Sequence, residues 1–375
     1  MHIALISVAP PYRGGISKHS SILTIKLRYT CHVDLINYSR QYPNFLFPGK
    51  TQYIENELHQ NEGDRSIDSI NPITWYNTGK KIAEKKYDLV IFRFWNPFFS
   101  PALGIIAVQI KKKSPKTKLI SLCDNILPHE NIFLGRFFTS YFFHKMDGHI
   151  VQSSIVEREL HEIIKNPIYE KCLHPIYDSF PSKIAKDKAR SFLKLQNKYI
   201  ILFFGIIRDY KGLDILLQAT SILKDKMEDF HVLILGECYE NTEKYSKLII
   251  ELEIDDLITW YNQYIPDEDV VRYFSAADIV ALPYRSASQS GIVQIAYHYD
   301  LPVIVSKVGG LPEVVEEKKS GFIIKKESPE ELTNVLLENL DCEKLDKMSN
   351  YIKNYKKKYS WETFIEGIKK VYHRL

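Results

Sequence analysis

Cysteine is scarce in this sequence, and no two cysteines form a motif. The five cysteines are Cys31, Cys123, Cys172, Cys238 and Cys342. Because their number is odd, they lie far apart and none forms a CxxC pair, the sequence excludes a disulfide framework and a zinc ribbon. We therefore expect reduced thiols and a cytoplasmic protein.

Several other signals are also missing. No stretch approaches the roughly 18 uninterrupted apolar residues that a membrane span needs. The first residues, MHIALISVAPPYRGG, lack the basic region of a signal peptide. There is no GxGxxG fingerprint and no HExxH motif, and the histidines are scattered, so neither a cofactor nor a metal ion is expected. The basic run KKKSPKTK is short, and nucleic acid is not an expected partner.

The composition is that of a globular protein with more than one core. The chain has 375 residues, of which 45% are apolar and 26% charged, and its net charge is +4. Continuous apolar runs such as YIILFFG and FHVLILG alternate with helical periods, which predicts parallel sheets covered on both faces. The predicted fold class is α/β, with two Rossmann-like domains.

The alternation breaks once, and this break predicts the domain boundary. We expect a first domain over residues 1–172, a linker with a charged helix over 173–198, a second domain over 199–360 and a last helix over 361–375. Residues 39–75 show little periodicity and are predicted to be a long irregular insertion.

Two loops with glycine follow predicted strands. PPYRGG places Gly14 and Gly15 after the first strand, where they either admit a ligand close to the backbone or form an ordinary tight turn. GIIRDYKG places Arg208 and Lys211 where a strand of the second domain ends. A guanidinium fork and an ammonium group at this end of a parallel sheet suit a diphosphate, although two solvated surface cations would give the same pattern.

A third loop, SASQSG, opens a helix with small and hydroxylated residues. The start of such a helix exposes backbone amides that suit an anion. The alternative is a plain helix cap by Ser290, with Gly291 easing the turn.

Four motifs in order resemble a known family. FFGxxRxxKGLDxLLxA, YFxAADxxxLPY, PVIxxxVGGLPEVV and GFII are similar to the second domain of the retaining GT-B glycosyltransferases of group 1, the GT4 family. The resemblance implies two domains that face each other across a cleft. The second domain would hold a nucleotide-diphosphate sugar, the first would hold the acceptor, and the last helix would return to the first domain. It also implies a reaction that needs neither a metal ion nor a cofactor.

The resemblance assigns roles to individual residues. Arg208 and Lys211 match the phosphate-binding pair and would support catalysis. The amides of Ser290, Gly291 and Ile292 match a second phosphate cradle. The other expected donor-binding residues are Gly14, Gly15, Glu237, Tyr264, Ile265, Ser288 and Gln289.

The sequence departs from the family pattern at the paired glutamates. Aligned on Pro302, these glutamates correspond to Ala287 and Ile295, unless a gap shifts the register. The candidates to replace them are Ser288, Gln289 and Gln294.

A second departure lies in the first domain. Where the family often has a histidine near the reacting centre, SLCDNILPHE has Asp124. Asp124 and His129 are predicted to be catalytic, with a helix cap as the alternative for Asp124. His19 and Glu130 are predicted to lie on the acceptor side.

The acceptor is predicted from an aromatic helix. FLGRFFTSYFFHK, residues 133–145, carries six aromatic residues beside Arg136 and Lys145, and KKKSPKTK adds lysines nearby. The pattern suits the inner face of an anionic membrane and a lipid-linked acceptor, whereas the alternative is that the aromatic residues are core.

Three functions remain open at this point. The first is a glycosyltransferase that acts on a polysaccharide, glycolipid or lipid-linked acceptor. The second is a non-catalytic nucleotide-sugar-binding subunit of a glycosyltransferase complex. The third is a sugar synthase or phosphorylase with a small soluble acceptor. The intact pair of Arg208 and Lys211 favours an enzyme.

Overall fold

The chain divides into two compact units, each built on a parallel sheet. The computed structural model describes residues 1–47, 49–54, 62–127 and 133–375. The first unit comprises Met1–His174 and Trp361–Leu375, and the second comprises Pro175–Ser360. The predicted α/β class with two Rossmann-like domains is confirmed. Among the described residues, no helix combines the length and the apolar character needed to cross a membrane.

Seven parallel strands form the sheet of the first unit. They are β1 (His2–Ile6), β2 (His32–Arg40), β3 (Asp64–Asp68), β4 (Leu89–Phe94), β5 (Lys118–Cys123), β6 (Gly148–Val151) and β7 (Tyr169–Lys171). Their order is β3-β2-β1-β4-β5-β6-β7. All residues of β4 are buried, as expected for a central strand with helices on both faces. The order reverses between β1 and β4, and parallel sheets bind ligands at the carboxyl ends of such strands.

Helices connect the strands of this unit. The described ones before the second unit are α1 (Gly15–Arg28), α2 (Pro72–Glu84), α3 (Ser100–Lys113), α4 (Phe133–Phe143) and α5 (Ser154–Ile163). Their starts follow local capping chemistry. The side chain of Asn71 accepts from the amide of Ile73 ahead of α2, and that of Ser153 accepts from Val156 ahead of α5.

Six parallel strands form the sheet of the second unit. They are β8 (Tyr199–Phe204), β9 (Phe230–Leu235), β10 (Ile258–Tyr261), β11 (Ile279–Leu282), β12 (Val303–Ser306) and β13 (Gly321–Ile324). Their order is β10-β9-β8-β11-β12-β13, so this sheet reverses between β8 and β11. Its helices are α6 (Lys186–Leu193), α7 (Leu213–Lys224), α8 (Thr242–Glu251), α9 (Asp267–Ala276), α10 (Gly291–His298), α11 (Pro329–Asn339) and α12 (Cys342–Tyr355).

The last helix, α13 (Trp361–Arg374), belongs to the first unit. It packs on β6 and β7 at close range because glycine stands at the contact points. A Cβ at Gly367 would lie 2.1 Å from the Sγ of Cys172, and one at Gly148 would lie 2.5 Å from Cγ1 of Val371. A larger residue at either glycine would push the helix away from the sheet.

Two segments differ from what the sequence predicted. Residues 39–75, expected to be irregular, contain β3 and the start of α2. The strand DRSID lies at the edge of the sheet and is polar, so it lacks the apolar run of the central strands.

Of the predicted linker, residues 173–198, the part from Pro175 onwards belongs to the second unit. It packs there through α6, where Lys186 and Arg190 form ion pairs with the buried Asp278.

Candidate functional site

Two loops meet at the strand reversal of the second sheet. One follows β8 and runs from Gly205 to Gly212, and the other follows β11 from Pro283. Gly212 has a φ of 67°, and a Cβ there would lie 2.1 Å from the carbonyl oxygen of Pro283. Only glycine allows this conformation and this close approach, so the sequence KGLD brings the two loops together.

Lys211 lies at the junction of these loops. Its Nζ donates to the Oη of Tyr284 over 2.7 Å and stands 4.3 Å from the centroid of the same ring. Burial and, to a lesser degree, the nearby Arg208 lower the pKa of Lys211, although Tyr210 opposes the shift. An ammonium group held in poorly solvated surroundings beside a second cation gains most from a bound anion.

Arg208 is half-buried and stacks on an aromatic ring. Its guanidinium carbon lies 5.4 Å from the ring centroid of Tyr239. The loop that carries Arg208 is fixed by Arg285, which donates to the carbonyl oxygen of Asp209 and to both carboxylate oxygens of Asp214. Arg285 thus joins the loop after β11 to the start of α7 and holds the loop after β8 in place.

The N-terminus of α10 points into the same region. A Cβ at Gly205 would lie 3.5 Å from Cδ1 of Ile292 and 3.8 Å from Nζ of Lys211. Ser290 caps the helix, because its Oγ accepts from the amide of Ile292 over 3.3 Å. A Cβ at Gly291 would lie 3.1 Å from the ring of Tyr177. The helix cap and the candidate anion site therefore share the start of α10, and the amide of Ile292 already donates a hydrogen bond to the capping Ser290.

The positions of the missing glutamates lie in and behind this helix start. The carbonyl oxygen of Ala287 packs against Gly309, which has a φ of 51°. Ile295 is buried and carries no group that could bind a ribose. Of the predicted replacements, Ser288 is buried, and the Oε1 of Gln294 is buried without a hydrogen-bond partner among the residues the structure describes.

The other donor-binding candidates of this unit follow neighbouring strands. Glu237 is buried after β9, and its carbonyl oxygen accepts from the amide of Ile207 over 3.0 Å. Tyr264 and Ile265 follow β10, with Tyr264 36% exposed and Ile265 buried. These residues lie at the same carboxyl edge as the two loops. Gln289 lies in the loop between Ser288 and Ser290, which brings it to this edge as well.

In the first unit, the predicted Asp124 belongs to a buried charge cluster. Its carboxylate accepts from Nε and Nη2 of Arg93, over 2.7 and 2.8 Å, and from Nε2 of Gln152 over 2.8 Å. Arg93 and Asp124 are 1% and 6% exposed. The cluster lies where β4, β5 and β6 end, which is the ligand-binding end of this sheet.

His19 extends this cluster from α1. Its Nδ1 lies 2.6 Å from Nη1 of Arg93, and since an arginine can only donate, this nitrogen accepts. Burial, Arg93 and His174 hold the pKa of His19 well below its usual value, so the ring is neutral. Its protonated Nε2 is buried and finds no partner within the described ranges.

The remaining candidates of the first unit lie around the end of β1 or outside the described ranges. Gly14, with a φ of 111°, precedes α1, and no described atom lies within 4 Å of the place of its Cβ. Gly15 is the first residue of α1. Among the described residues, the space beside Gly14 is therefore open. His129 and Glu130 lie outside the described residues.

Sequence reasoning missed three residues of these sites: Arg93, Tyr284 and Arg285. A signal existed for Arg93, because it is a charge within the otherwise apolar strand LVIFRF. Tyr284 and Arg285 lie just after the apolar strand β11, separated from it by Pro283, in a position where residues of a parallel sheet commonly meet ligands. Their partners could not be read from the sequence, since they lie 70 or more positions away.

Known proteins resemble this chain over its whole length. Residues 185–359 match the family model of the glycosyl transferases group 1. An uncharacterized glycosyltransferase of Methanocaldococcus jannaschii is 25% identical over 378 residues, which cover 100% of this chain and 99% of that protein. The region that matches the family model contains both loops at the strand reversal.

Two solved structures share the fold. A sucrose-phosphate synthase from Thermosynechococcus elongatus has a TM-score of 0.76 at 17% identity and covers 100% of this chain and 98% of its own. HepE from Anabaena, solved in complex with UDP, has a TM-score of 0.75 at 15% identity, with 100% of both chains covered. At these identities the two structures establish the GT-B fold.

Proposed function

We propose that this chain is a group 1 glycosyl transferase, which moves a sugar from a nucleotide-diphosphate sugar to a saccharide or lipid-linked acceptor with retention of configuration. The observation that carries this proposal is the convergence of Arg208, Lys211 and the N-terminus of α10 at the strand reversal of the second sheet. Two cations and a positive helix end together suit a diphosphate.

In this reaction the main task of the protein is to stabilise the negative charge that develops on the leaving group. The bond between the sugar and the diphosphate breaks, and negative charge grows on the leaving phosphate. The acceptor hydroxyl attacks the anomeric carbon from the same face and gives its proton to the leaving oxygen. Lys211 and Arg208 stand ready before the reaction, because Tyr284, Tyr239 and Arg285 hold them or their loop in place. Such preorganised charges stabilise the transition state without reorganisation.

The same residues support transfer without a metal ion. A magnesium ion bound to a diphosphate supplies positive charge at the leaving group. Arg208, Lys211 and the amide end of α10 supply positive charge at one place in this unit. We therefore expect transfer to proceed in buffer from which magnesium has been withheld.

The first test is donor binding by thermal shift. UDP and UDP-glucose head the panel because HepE, which has the same fold, was solved with UDP; sugars linked to the other nucleotide diphosphates complete it. A donor present at 100 times its dissociation constant should raise the free energy of unfolding by about 2.7 kcal/mol. Nucleoside monophosphates serve as the matched control, and we expect them to stabilise far less because they lack the second phosphate.

Turnover then separates the candidate functions. With the donor that binds, we expect hydrolysis or transfer, and an NMR spectrum of the first product should show the anomeric configuration of the donor. Binding without any turnover would favour a non-catalytic binding subunit. A failure of every nucleotide diphosphate to stabilise the fold would contradict the proposal.

We further propose that the acceptor is presented at an anionic membrane surface, where the first unit binds through α4. Phe137 is 65% exposed, and Phe138 and Tyr141 are 36% exposed. Lys145 stands 5.1 Å from the ring centroid of Tyr141, which places a cation beside the aromatic patch. Exposed aromatic rings beside cations suit the interface of an anionic bilayer.

Three other members of the predicted pattern, Phe142, Phe143 and Lys111, have partners inside the protein. Phe142 and Phe143 are fully buried, so the core interpretation holds for them. Lys111 forms an ion pair with Asp147 and donates to the carbonyl oxygen of Thr117. The test of membrane binding therefore targets the exposed aromatic residues rather than the lysines.

A double variant, Phe137→Ser with Phe138→Ser, should reduce co-sedimentation with anionic vesicles. Each buried phenylalanine contributes about 1.5–3 kcal/mol to partition, so the loss should be at least about tenfold. Phe192→Ser is the matched control, because Phe192 is 61% exposed in the second unit. Equal vesicle binding by the double variant and the control would contradict the proposal that α4 binds the membrane.

A further inference from the structure

Three potential metal ligands meet at the amino end of the first sheet. The parallel register of β1 and β2 sets His2 directly opposite His32. Asp34 lies two residues along β2 and therefore on the same face as His32. The Nε2 of His2 lies 3.7 Å from one carboxylate oxygen of Asp34, and the Nε2 of His32 lies 3.9 Å from the other. All three ligand atoms lie within 4.8 Å of one another.

We propose that His2, His32 and Asp34 bind one divalent transition-metal ion of the zinc, cobalt and nickel class. Imidazole nitrogens favour these ions, whereas magnesium and calcium prefer oxygen ligands alone. Zinc binds imidazole nitrogen and carboxylate oxygen at about 2.0–2.2 Å, so donors around one ion lie roughly 3–4 Å apart. The observed separations approach this spacing, and small side-chain rotations would bring the three ligand atoms within reach of one ion.

The surroundings of Asp34 resemble the outer shell of a metal site. Lys85 Nζ and Tyr87 Oη donate to Oδ2 of Asp34, over 2.7 and 2.5 Å. Although burial acts to raise it, these two hydrogen bonds hold the pKa of Asp34 at about 2. The ring of Tyr87 also packs on that of His2, with centroids 4.2 Å apart.

Lys85 is at the same time a built-in competitor. Its ammonium group neutralises the only carboxylate of the three ligands, and a metal ion at this place would be repelled by it. Removal of the His32 imidazole should therefore weaken metal binding, whereas removal of the Lys85 ammonium group should strengthen it. A simple surface cluster of hydrogen bonds would show neither effect.

This site is separate from the proposed donor and acceptor sites. It lies at the amino ends of β1 and β2, whereas Gly14 and Asp124 follow the carboxyl ends of strands in the same sheet. A bound ion would join the start of β1 to β2 and would stabilise the first unit. The inference stands whether or not the chain transfers a sugar.

The experiment uses the full chain without a polyhistidine tag, after treatment with EDTA and its removal. Zinc chloride is titrated by calorimetry, and cobalt chloride is titrated with detection of its visible absorption. We expect one ion per chain and a higher melting temperature. His32→Ala should weaken binding by more than the roughly 10–100-fold seen when only an outer-shell partner is lost. The side chain of His32 is 75% exposed, so this variant should fold.

Two further variants complete the test. Lys85→Met should bind zinc more tightly than the wild type. His144→Ala, which removes an exposed histidine of α4's C-terminal end, should bind it equally well. Zinc binding by His32→Ala at wild-type affinity, or a Lys85→Met variant with unchanged affinity, would overturn the site.

Discussion

Lys211→Met is expected to lower the rate of sugar transfer by about a hundredfold to a thousandfold while changing donor affinity far less. The ammonium group of Lys211 is preorganised by Tyr284, and loss of one such charge at a leaving group costs roughly 3–4 kcal/mol in the transition state. The ground-state diphosphate carries less charge at the breaking bond, so its binding depends less on this contact. Steady-state kinetics and donor titration of the same variant check both parts.

The same variant should not be less stable than the wild type in the absence of donor. The folded-state pKa of Lys211 is lowered by burial, so the charged ammonium destabilises the fold at neutral pH. This destabilisation is fully present below the lowered pKa and is relieved as the pH rises through it. Methionine removes the charge and keeps most of the volume, so the apo melting temperature should stay equal or rise.

Lys244→Met is the matched control for Lys211→Met. Lys244 lies in the same unit near the same loop, but its Nζ pairs with Asp209 over 2.9 Å and is 48% exposed. We expect the Lys244→Met variant to transfer sugar at a nearly normal rate.

Arg208→Lys should not retain the wild-type rate of transfer, because a point charge does not reproduce the guanidinium fork. Normal turnover in Lys211→Met would contradict the proposal that the loop after β8 binds the donor phosphates.

The two loops at the strand reversal of the second sheet could be predicted from the sequence because they are local features. The apolar strand YIILFF is followed by a glycine, and the residues that follow a strand of a parallel sheet face its ligand-binding edge. Gly212 could be expected in a tight turn, and the structure adds that it also makes room for Pro283. Arg208, Lys211 and the start of α10 were named on this basis.

Elements with a weak apolar pattern escaped prediction. The edge strand β3 is polar, and β7 has only three residues. Helices α8, α11 and α12 do carry a local signal at their starts, since Asn241, Ser328 and Asp341 each cap a helix through their side chains. Capping residues ahead of an amphipathic period would have found all three.

Contacts built by strand register could not be predicted. Asp124 meets Arg93 because β4 and β5 pair Phe94 with Cys123, and the next residue then lies beside the end of β4. His2 meets His32 through the register of β1 and β2 in the same way. The sequence shows these residues far apart, and only the strand order brings them together. This is why the histidines looked scattered and Asp124 looked like a lone carboxylate.

Asp124→Asn is expected to destabilise the protein by roughly 3–5 kcal/mol, because it leaves the buried guanidinium of Arg93 without its counter-charge. An amide offers one acceptor oxygen where the carboxylate offers two, so the paired bonds from Nε and Nη2 of Arg93 cannot both form. A carboxylate that acted only on the acceptor would be replaced without any loss of stability. Denaturant unfolding of the first unit, followed beside activity, distinguishes the two roles.

Asp147→Asn is the matched control, since Asp147 pairs with Lys111 at a site where both side chains are 29% exposed. Such a partly solvated pair contributes at most about 1 kcal/mol.

A second variant, Arg93→Met with Asp124→Leu, replaces the buried pair by apolar groups and should recover part of the lost stability. The recovery is only partial because His19 and Gln152 each lose a buried hydrogen-bond partner. If this double variant folds normally but does not transfer sugar, the cluster of Arg93 and Asp124 serves the reaction as well as the fold. Wild-type stability of Asp124→Asn alone would contradict the buried ion pair and return Asp124 to a purely catalytic role.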